Sequence, residues 1–550
     1  MPGKSHHTPA NWPRKTGLRL AVHAQALALD PGGYLAAIGW WISGKRLRAK
    51  MQLAPLLGRT KSAYRLWQAL QPLLSSSSQI SSHLAREPVR LRALIAQGDG
   101  TSRTLESCRA EGIDACIVNR PDDLARNGFE NADWIMPLQP GDTLAKGAGA
   151  IYREAATNAL PAASLIYADD DLIDDDGRRS KPHLKPDWNS ELFQHFDFLT
   201  FSCLVRTRVL APESVQSSDW AAELTRQAVG VADAQTASPR HVHEILHHRR
   251  SRPAPQLPLA PLTLANASSP SVSVIIPTRN RVKLLRVCLD GLSSTDYQGA
   301  VEIVVIDNGS DDPETLDYLA GLDPDFVSVV RDDGPFNFAA LNNRAAARAR
   351  GDALCFLNND IEVHSPDWLS IMAHQAMRDD VGAVGARLLY PDGRIQHAGV
   401  ILGIGGAAAH PHRGLNPEEE GYFHRHSLTQ FTSAITAACM VVERTKFEAV
   451  GGFDAKNFAV SFNDVDLCLR LNEQGWRSLY EPRATLVHHE SVSRGFDRDR
   501  AGAARQARET LALRERWDTG LAPSQEQPKS RDPFHHPGLS PLSEQFVLRV

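Results

Sequence analysis

The sequence predicts an α/β protein made of two units in tandem behind a helical N-terminal region. Three observations predict this. Apolar, β-rich runs alternate with helical patterns after residue 270, a fainter version of that alternation fills residues 88–250, and a proline-rich stretch divides the two. The 550 residues are enough for several buried cores. Hydrophobic residues at 42% and charged residues at 23% exclude a disordered or fibrous chain.

Residues 1–87 read as helical and partly basic. The opening MPGKSHHTPANWPRK lacks the apolar core of a signal peptide. The longest apolar stretch, from Tyr34 to Gly44, is too short to span a bilayer. Lys45, Arg46, Arg48 and Lys50 follow it. It therefore suits either a helix packed on its neighbour or one lying peripherally on the anionic inner membrane surface. The seven cysteines are odd in number and contain no Cys-x-x-Cys pair. That argues against a zinc ribbon or disulfide framework and for a reducing, cytoplasmic setting. Sixty Lys and Arg against 64 Asp and Glu leave a formal charge of −4. So nothing electrostatic points to nucleic acid as a partner, and an anionic substrate must be met locally, by a metal or a few cations.

In residues 88–250 the runs VRLRALIA, DACIVN, DWIMPL and SLIYA read as strands. Residues 251–270, SRPAPQLPLAPLTLANASSP, carry too many prolines for a helix or central strand and read as a linker. In residues 271–500 the strands are SVSVII, VEIVVI, FVSVV and ALCFL. A helix begins at Val282, with Leu285, Leu289 and Leu292 at helical spacing, and a second covers 338–350. This order predicts a Rossmann-like, mostly parallel sheet with helices on both faces, whose ligands lie beyond the carboxyl ends of the strands. Residues 501–550 read as a C-terminal helix and tail.

Polar motifs fall at those strand ends. The first strand runs into Pro277-Thr278-Arg279-Asn280, a turn before a helix that offers N–H groups to an anion. The second ends at Asp307-Asn308-Gly309-Ser310, where a carboxylate suits a base N–H or a simple turn. Asn337 to Asn343 follow, and the strand ALCFL delivers Asn358-Asn359-Asp360, oxygen donors of the kind Mn²⁺ or Mg²⁺ on a diphosphate requires. Asp464 sits at a helix start, and His488-His489 close a late strand as metal ligands or satisfied loop residues.

In order, strand–PTRN, strand–DNGSDD, PFNFAALNN, FLNND, GGFD, FNDVDLCLR and VHHES resemble the family 2 glycosyltransferases of the GT-A fold, nearest the bacterial rhamnosyltransferase and O-antigen branch. The resemblance implies an inverting, divalent-metal-dependent enzyme with a nucleotide-sugar donor and a saccharide or lipid-linked acceptor. It implies that Pro277, Thr278 and Asn280 line the nucleotide pocket and that Asp307 contacts the base, beside Asn308 and Ser310. Asn337 and Asn343 match donor-side positions. Asp360 takes the last place of the metal motif, after Asn358 and Asn359, and His488 completes the metal or diphosphate contacts. Asp464 takes the place of the catalytic base, with Asn463 where the family usually has Glu.

The first half resembles a degenerate copy of the same fold. Its counterpart of the metal motif, Leu138 to Asp142, retains one acid, as does the counterpart of the acidic pair, Ser217-Ser218-Asp219. The acidic stretch 164–189 fails the spacing of an EF-hand. Two other readings stand beside the transferase. One is a non-catalytic carbohydrate-binding or assembly protein derived from a transferase. The other is a sugar nucleotidyltransferase, which the turn PTRNR, lacking a glycine run, disfavours.

Overall fold

The computed structural model describes residues 12–71, 89–126, 132–159, 163–211, 215, 217–234, 238–262, 268–489, 500–519 and 531–550. The N-terminal residues read against a signal peptide lie partly outside this set. Glu490, Ser491 and residues 520–530 of the tail lie outside it altogether.

Four helices come first: α1 (Trp12–Leu29), α2 (Pro31–Ile42), α3 (Arg46–Gly58) and α4 (Ala63–Leu70). Asp30 caps α2 by accepting the Gly33 N–H, and Pro31 fits the first turn because no helical donor is needed there. Tyr64 and Trp67 of α4 pack with Leu184, Ile245 and Leu539, fastening the helical region to the first sheet and to the C-terminal tail.

The first sheet contains β1 (Leu91–Ala96), β2 (Asp114–Val118), β3 (Trp134–Leu138), β4 (Thr143–Leu144), β5 (Leu165–Ile173), β6 (Arg179–His183), β7 (Cys203–Arg206) and β8 (Arg240–Arg249). The second contains β9 (Val272–Thr278), β10 (Val301–Asp307), β11 (Val327–Arg331), β12 (Ala353–Leu357), β13 (Ile361–Val363), β14 (Val381–Leu389), β15 (Ile395–His397), β18 (Gln430–Thr432), β19 (Cys439–Glu443) and β20 (Arg477–His488). Between them β16 (Ile401–Leu402) and β17 (Ala408–Ala409) form a separate hairpin.

The spatial orders are β2-β1-β3-β7-β5-β8-β4 and β11-β10-β9-β12-β19-β14-β20-β13. After the extra edge strand β11, the two sequences of strands correspond one to one, and so do their directions. For example, β3 meets β7 antiparallel as β12 meets β19, and β5 meets β8 parallel as β14 meets β20. The second sheet is parallel from β11 to β12 and mixed beyond. Mostly parallel therefore describes only its half from β11 to β12.

Alternate residues of β9 and β10 enter different cores. Val274, Ile276, Ile303 and Val305 lie in one, Ile275, Val304 and Ile306 in the other. Burial on both faces is why these strands read as unbroken apolar runs. The helix Val282–Ser293 buries Leu285, Cys288, Leu289 and Leu292 along one stripe. Because Thr278 and Asp307 are register partners, the polar ends of β9 and β10 emerge side by side. All seven cysteines are free thiols.

Candidate active site

A cleft of about 1160 Å³ opens at these strand ends. Its walls include Pro277, Thr278, Asn280, Asn308, Asn358, Asn359, Asp360, Asp464 and His488 from the sequence reading, so residues spread over more than 200 positions share one space.

The turn after β9 is built by side-chain bonds. Asn280 and Arg281 both adopt left-handed backbone (φ 55° and 60°), a conformation that costs of order 1–3 kcal/mol per residue unless the surroundings impose it. Here they do. The Asn280 N–H donates to Ser310 Oγ (2.8 Å), and Asn280 Oδ1 accepts the N–H groups of Asp311 and Asp312 (3.1 Å each). Asn359 Nδ2 donates to Thr278 Oγ1 at 2.9 Å, joining the end of β12 to that of β9. Arg279, Arg281 and Lys283 also line the cleft. They are the local cations that a near-neutral chain needs for an anionic ligand, and their place between a strand end and a helix start was the available signal.

Asp360 is buried and its Oδ1 lies 3.1 Å from His488 Nε2. Register brings them together: Ile361, next to Asp360, pairs with His488 across β13 and β20. His488 Nδ1 donates to Gln396 Oε1 at 2.6 Å, and Asn358 Nδ2 points at Nε2 from 3.3 Å. With Nδ1 taken by Gln396, Nε2 is the ring nitrogen that faces the carboxylate. Two adjacent ligands of an octahedral cation at about 2.1 Å sit about 3 Å apart, so this pair fits Mn²⁺ or Mg²⁺, with Gln396 orienting the imidazole.

Asp464 lies in the first turn of the helix Asn463–Glu473, where the helix dipole favours negative charge. Its Oδ1 accepts the Val465 N–H (2.8 Å) and its Oδ2 the Ala437 N–H (3.1 Å). Burial raises its pKa above the ordinary carboxylate value, and the amide donors restrain the rise. The neighbouring Asn463 donates to Val460 O at 2.7 Å. Asp466 is committed to Arg470 and Trp517 instead.

Four expected site residues do not line this cleft. Asp307 accepts from Ser310 N (3.0 Å) and pairs with Arg331 at 2.5 Å, while Ser310 is buried in the same turn. Asn337 caps the helix Phe338–Ala346 and donates to Ala455 O. Asn343 makes two bonds to the backbone of Phe453. The two asparagines tie down the backbone of residues 453–455.

Residues 273–450 match the model of glycosyl transferase family 2. The chain carries a family 2 glycosyltransferase domain. It is 35% identical over 435 residues to the uncharacterized protein y4gI of Sinorhizobium fredii, covering 71% of this chain and 47% of that one. It is 33% identical over 470 residues to the O-antigen biosynthesis protein RfbC of Myxococcus xanthus, covering 77% and 35%. An N-acetylglucosaminyl-diphospho-decaprenol L-rhamnosyltransferase of Mycobacterium tuberculosis matches at 33% over 123 residues, covering 21% and 40%. The chain thus spans less than half the length of these relatives. Among solved structures, the mannosyltransferase PcManGT from Pyrobaculum calidifontis, in complex with GDP-Man and Mn²⁺, has 21% identity and a TM-score of 0.34, covering 46% of this chain and 66% of that one. At that distance no residue role is transferred.

The corresponding place in the first half is closed by its own side chains. Asp142 precedes Thr143, which pairs with His248, just as Asp360 precedes the partner of His488. Yet Asp142 accepts from Arg250 N (2.9 Å) and faces Arg249 (3.9 Å), while His248 turns to Asp171 (2.7 Å). Burial pushes Asp142 up to a pKa of about 7 despite Arg249. The turns themselves touch: a Cβ on Gly98 would come within 2.7 Å of Pro140, and one on Gly100 within 2.7 Å of Gly141. Asp219 is exposed, 3.9 Å from Arg226. Within β8, His241 and His243 share Asp187 and His241 also reaches Asp169, bringing enough ligand atoms together to hold a cation, whereas His247 meets Tyr152 and His248 meets Asp171. His410 meets His397 at 2.8 Å and His412 packs near His426.

Proposed function

We propose that this chain is an inverting, divalent-metal-dependent glycosyltransferase of the cytoplasm. It would move a sugar from a nucleotide-diphosphate donor to a saccharide or lipid-linked acceptor in cell-surface polysaccharide biosynthesis. The observation that carries this reading is the sharing of one cleft by the Asp360–His488 pair and the Asp464 carboxylate. The printed names of the O-antigen and rhamnosyltransferase relatives support the substrate class.

Each residue then has a task. The 277–281 turn, with Asn308, holds the nucleoside, and Arg279, Arg281 and Lys283 meet the phosphates. Asp360 and His488 would hold Mn²⁺ or Mg²⁺, which would supply positive charge to offset that of a departing diphosphate. Asp464 takes the proton from the acceptor hydroxyl as that oxygen attacks the anomeric carbon from the face opposite the leaving group, inverting the configuration. A pKa raised by burial makes it a stronger base than a solvated aspartate.

In this reading residues 271–500 are the catalytic domain, and 88–250 are a decayed copy that scaffolds it or holds acceptor. Residues 1–87 form the helical region, 251–270 the linker and 501–550 the closing helix and tail. A screen of nucleotide sugars for Mn²⁺-dependent donor hydrolysis and transfer tests the proposal. Turnover with at least one donor is expected; good sugar binding with no turnover of any donor would replace the enzyme by a carbohydrate-binding protein.

A further inference from the structure

The helix α2 is turned inside out for a water-facing element. Leu35, Ile38 and Ile42 recur at i, i+3 and i+7, the spacing of one helical face, with Trp41 beside them. All four are exposed: Ile42 at 80%, Leu35 at 62%, Trp41 at 45% and Ile38 at 38%. Only Ala37 of this helix is buried. On α1, Leu20 and Leu27, two turns apart, are exposed as well. Half of the large apolar side chains exposed among the described residues fall between Leu20 and Leu47. Scattered exposed leucines need no explanation, but such a concentration marks an interaction surface.

Charge identifies the partner. Residues 12–71 contain ten Lys or Arg and one acid, Asp30, whereas the whole chain carries −4. The cations flank the apolar face. Lys45 and Arg48 lie over the Trp40 ring at 4.8 and 4.0 Å, and Arg46 lies over Trp41 at 5.9 Å. Indole rings with adjacent cations suit the boundary between lipid headgroups and acyl chains. No helix among the described residues is long and apolar enough to cross a membrane, so the face would lie on a surface and not span it. A second copy of the chain is a poorer occupant, because pairing two such faces would bring two strongly basic regions together.

We propose that α1 and α2 form a docking face for an anionic lipid bilayer, with Leu35, Ile38, Trp41 and Ile42 entering the interface and Lys45, Arg46 and Arg48 meeting the headgroups. The inference rests on this surface alone and is independent of the catalytic reading.

Co-sedimentation of the full chain with phosphatidylcholine vesicles, with and without phosphatidylglycerol, tests it. Binding is expected to need the anionic lipid and to weaken with salt. It should fall roughly tenfold or more in Leu35→Glu/Ile42→Glu and, separately, in Lys45→Glu/Arg46→Glu/Arg48→Glu. The thermal unfolding midpoint of both variants should stay near wild type, since the substituted side chains are exposed. No binding to anionic vesicles by the wild-type chain, or binding that both variants retain, overturns the proposal. So does a wild-type dimer in light scattering that Leu35→Glu/Ile42→Glu converts to monomer without any loss of vesicle binding.

Discussion

The two sheets share strand order, strand direction and even the register that sets an acid beside a histidine-bearing strand, yet beside that acid the second presents a cleft and the first is filled by its own side chains. In the second, Asp360 and His488 face each other and Gln396 holds the imidazole. In the first, Asp142 faces a buried Arg249, His248 is taken by Asp171, and the turns at 98–100 and 140–141 are packed together. In the first half the acid faces a guanidinium, and in the second an imidazole. The backbone scaffold and the chemistry are thus separable: the same strand order supports a site or a filled core according to a few side chains at the strand ends.

That contrast breaks most directly at the proposed base. Asp464→Asn should lower transfer by about 10²–10⁴-fold while donor affinity is retained, and Asp219→Asn should leave both unchanged, as steady-state kinetics on the two variants would read. As the proposed base, Asp464 would have to be ionised for transfer. Its raised pKa means that kcat/KM climbs with pH through a value above that of an ordinary aspartate and then levels. A profile flat down to pH 4 would deny it this role.

The metal pair sharpens the comparison next. Asp360→Asn and His488→Ala should each abolish stimulation by Mn²⁺, and Asp142→Asn should not alter it. Gln396→Leu should raise the Mn²⁺ concentration needed for half-maximal activity by about 10–100-fold, because it frees the imidazole to turn.

Stability gives a smaller contrast of opposite placement. The raised pKa of Asp142 means that the folded chain holds this proton more tightly than the unfolded chain. The contribution is present below the ordinary carboxylate pKa and is lost as pH rises through about 7. In Asp142→Asn that part of the decline should vanish from unfolding midpoints measured between pH 4 and 8.

Much of this was legible because it is local. SVSVII, VEIVVI and ALCFL declare themselves as strands buried on both faces, and the polar residues that end them had to emerge together. The match of Asp360 to His488 was not legible from spacing: it depends on β13 pairing antiparallel with the end of β20, a contact across more than 120 residues. Asn337 and Asn343 mislead for another reason. A side-chain amide looks the same in sequence whether it binds a ligand or ties down backbone, and here both bond the backbone of 453–455. Asn343→Ala should therefore cost about 1–3 kcal/mol in denaturant unfolding and leave nucleotide affinity unaltered. Loss of affinity without loss of stability would restore the donor-side role.

The central claim is that one of the two halves binds donor. Calorimetric titration of the full chain with a nucleoside diphosphate in the presence of Mn²⁺ should give one site per chain, abolished in Asp360→Ala and preserved in Asp142→Ala. Two sites per chain, or one that survives Asp360→Ala, would contradict it.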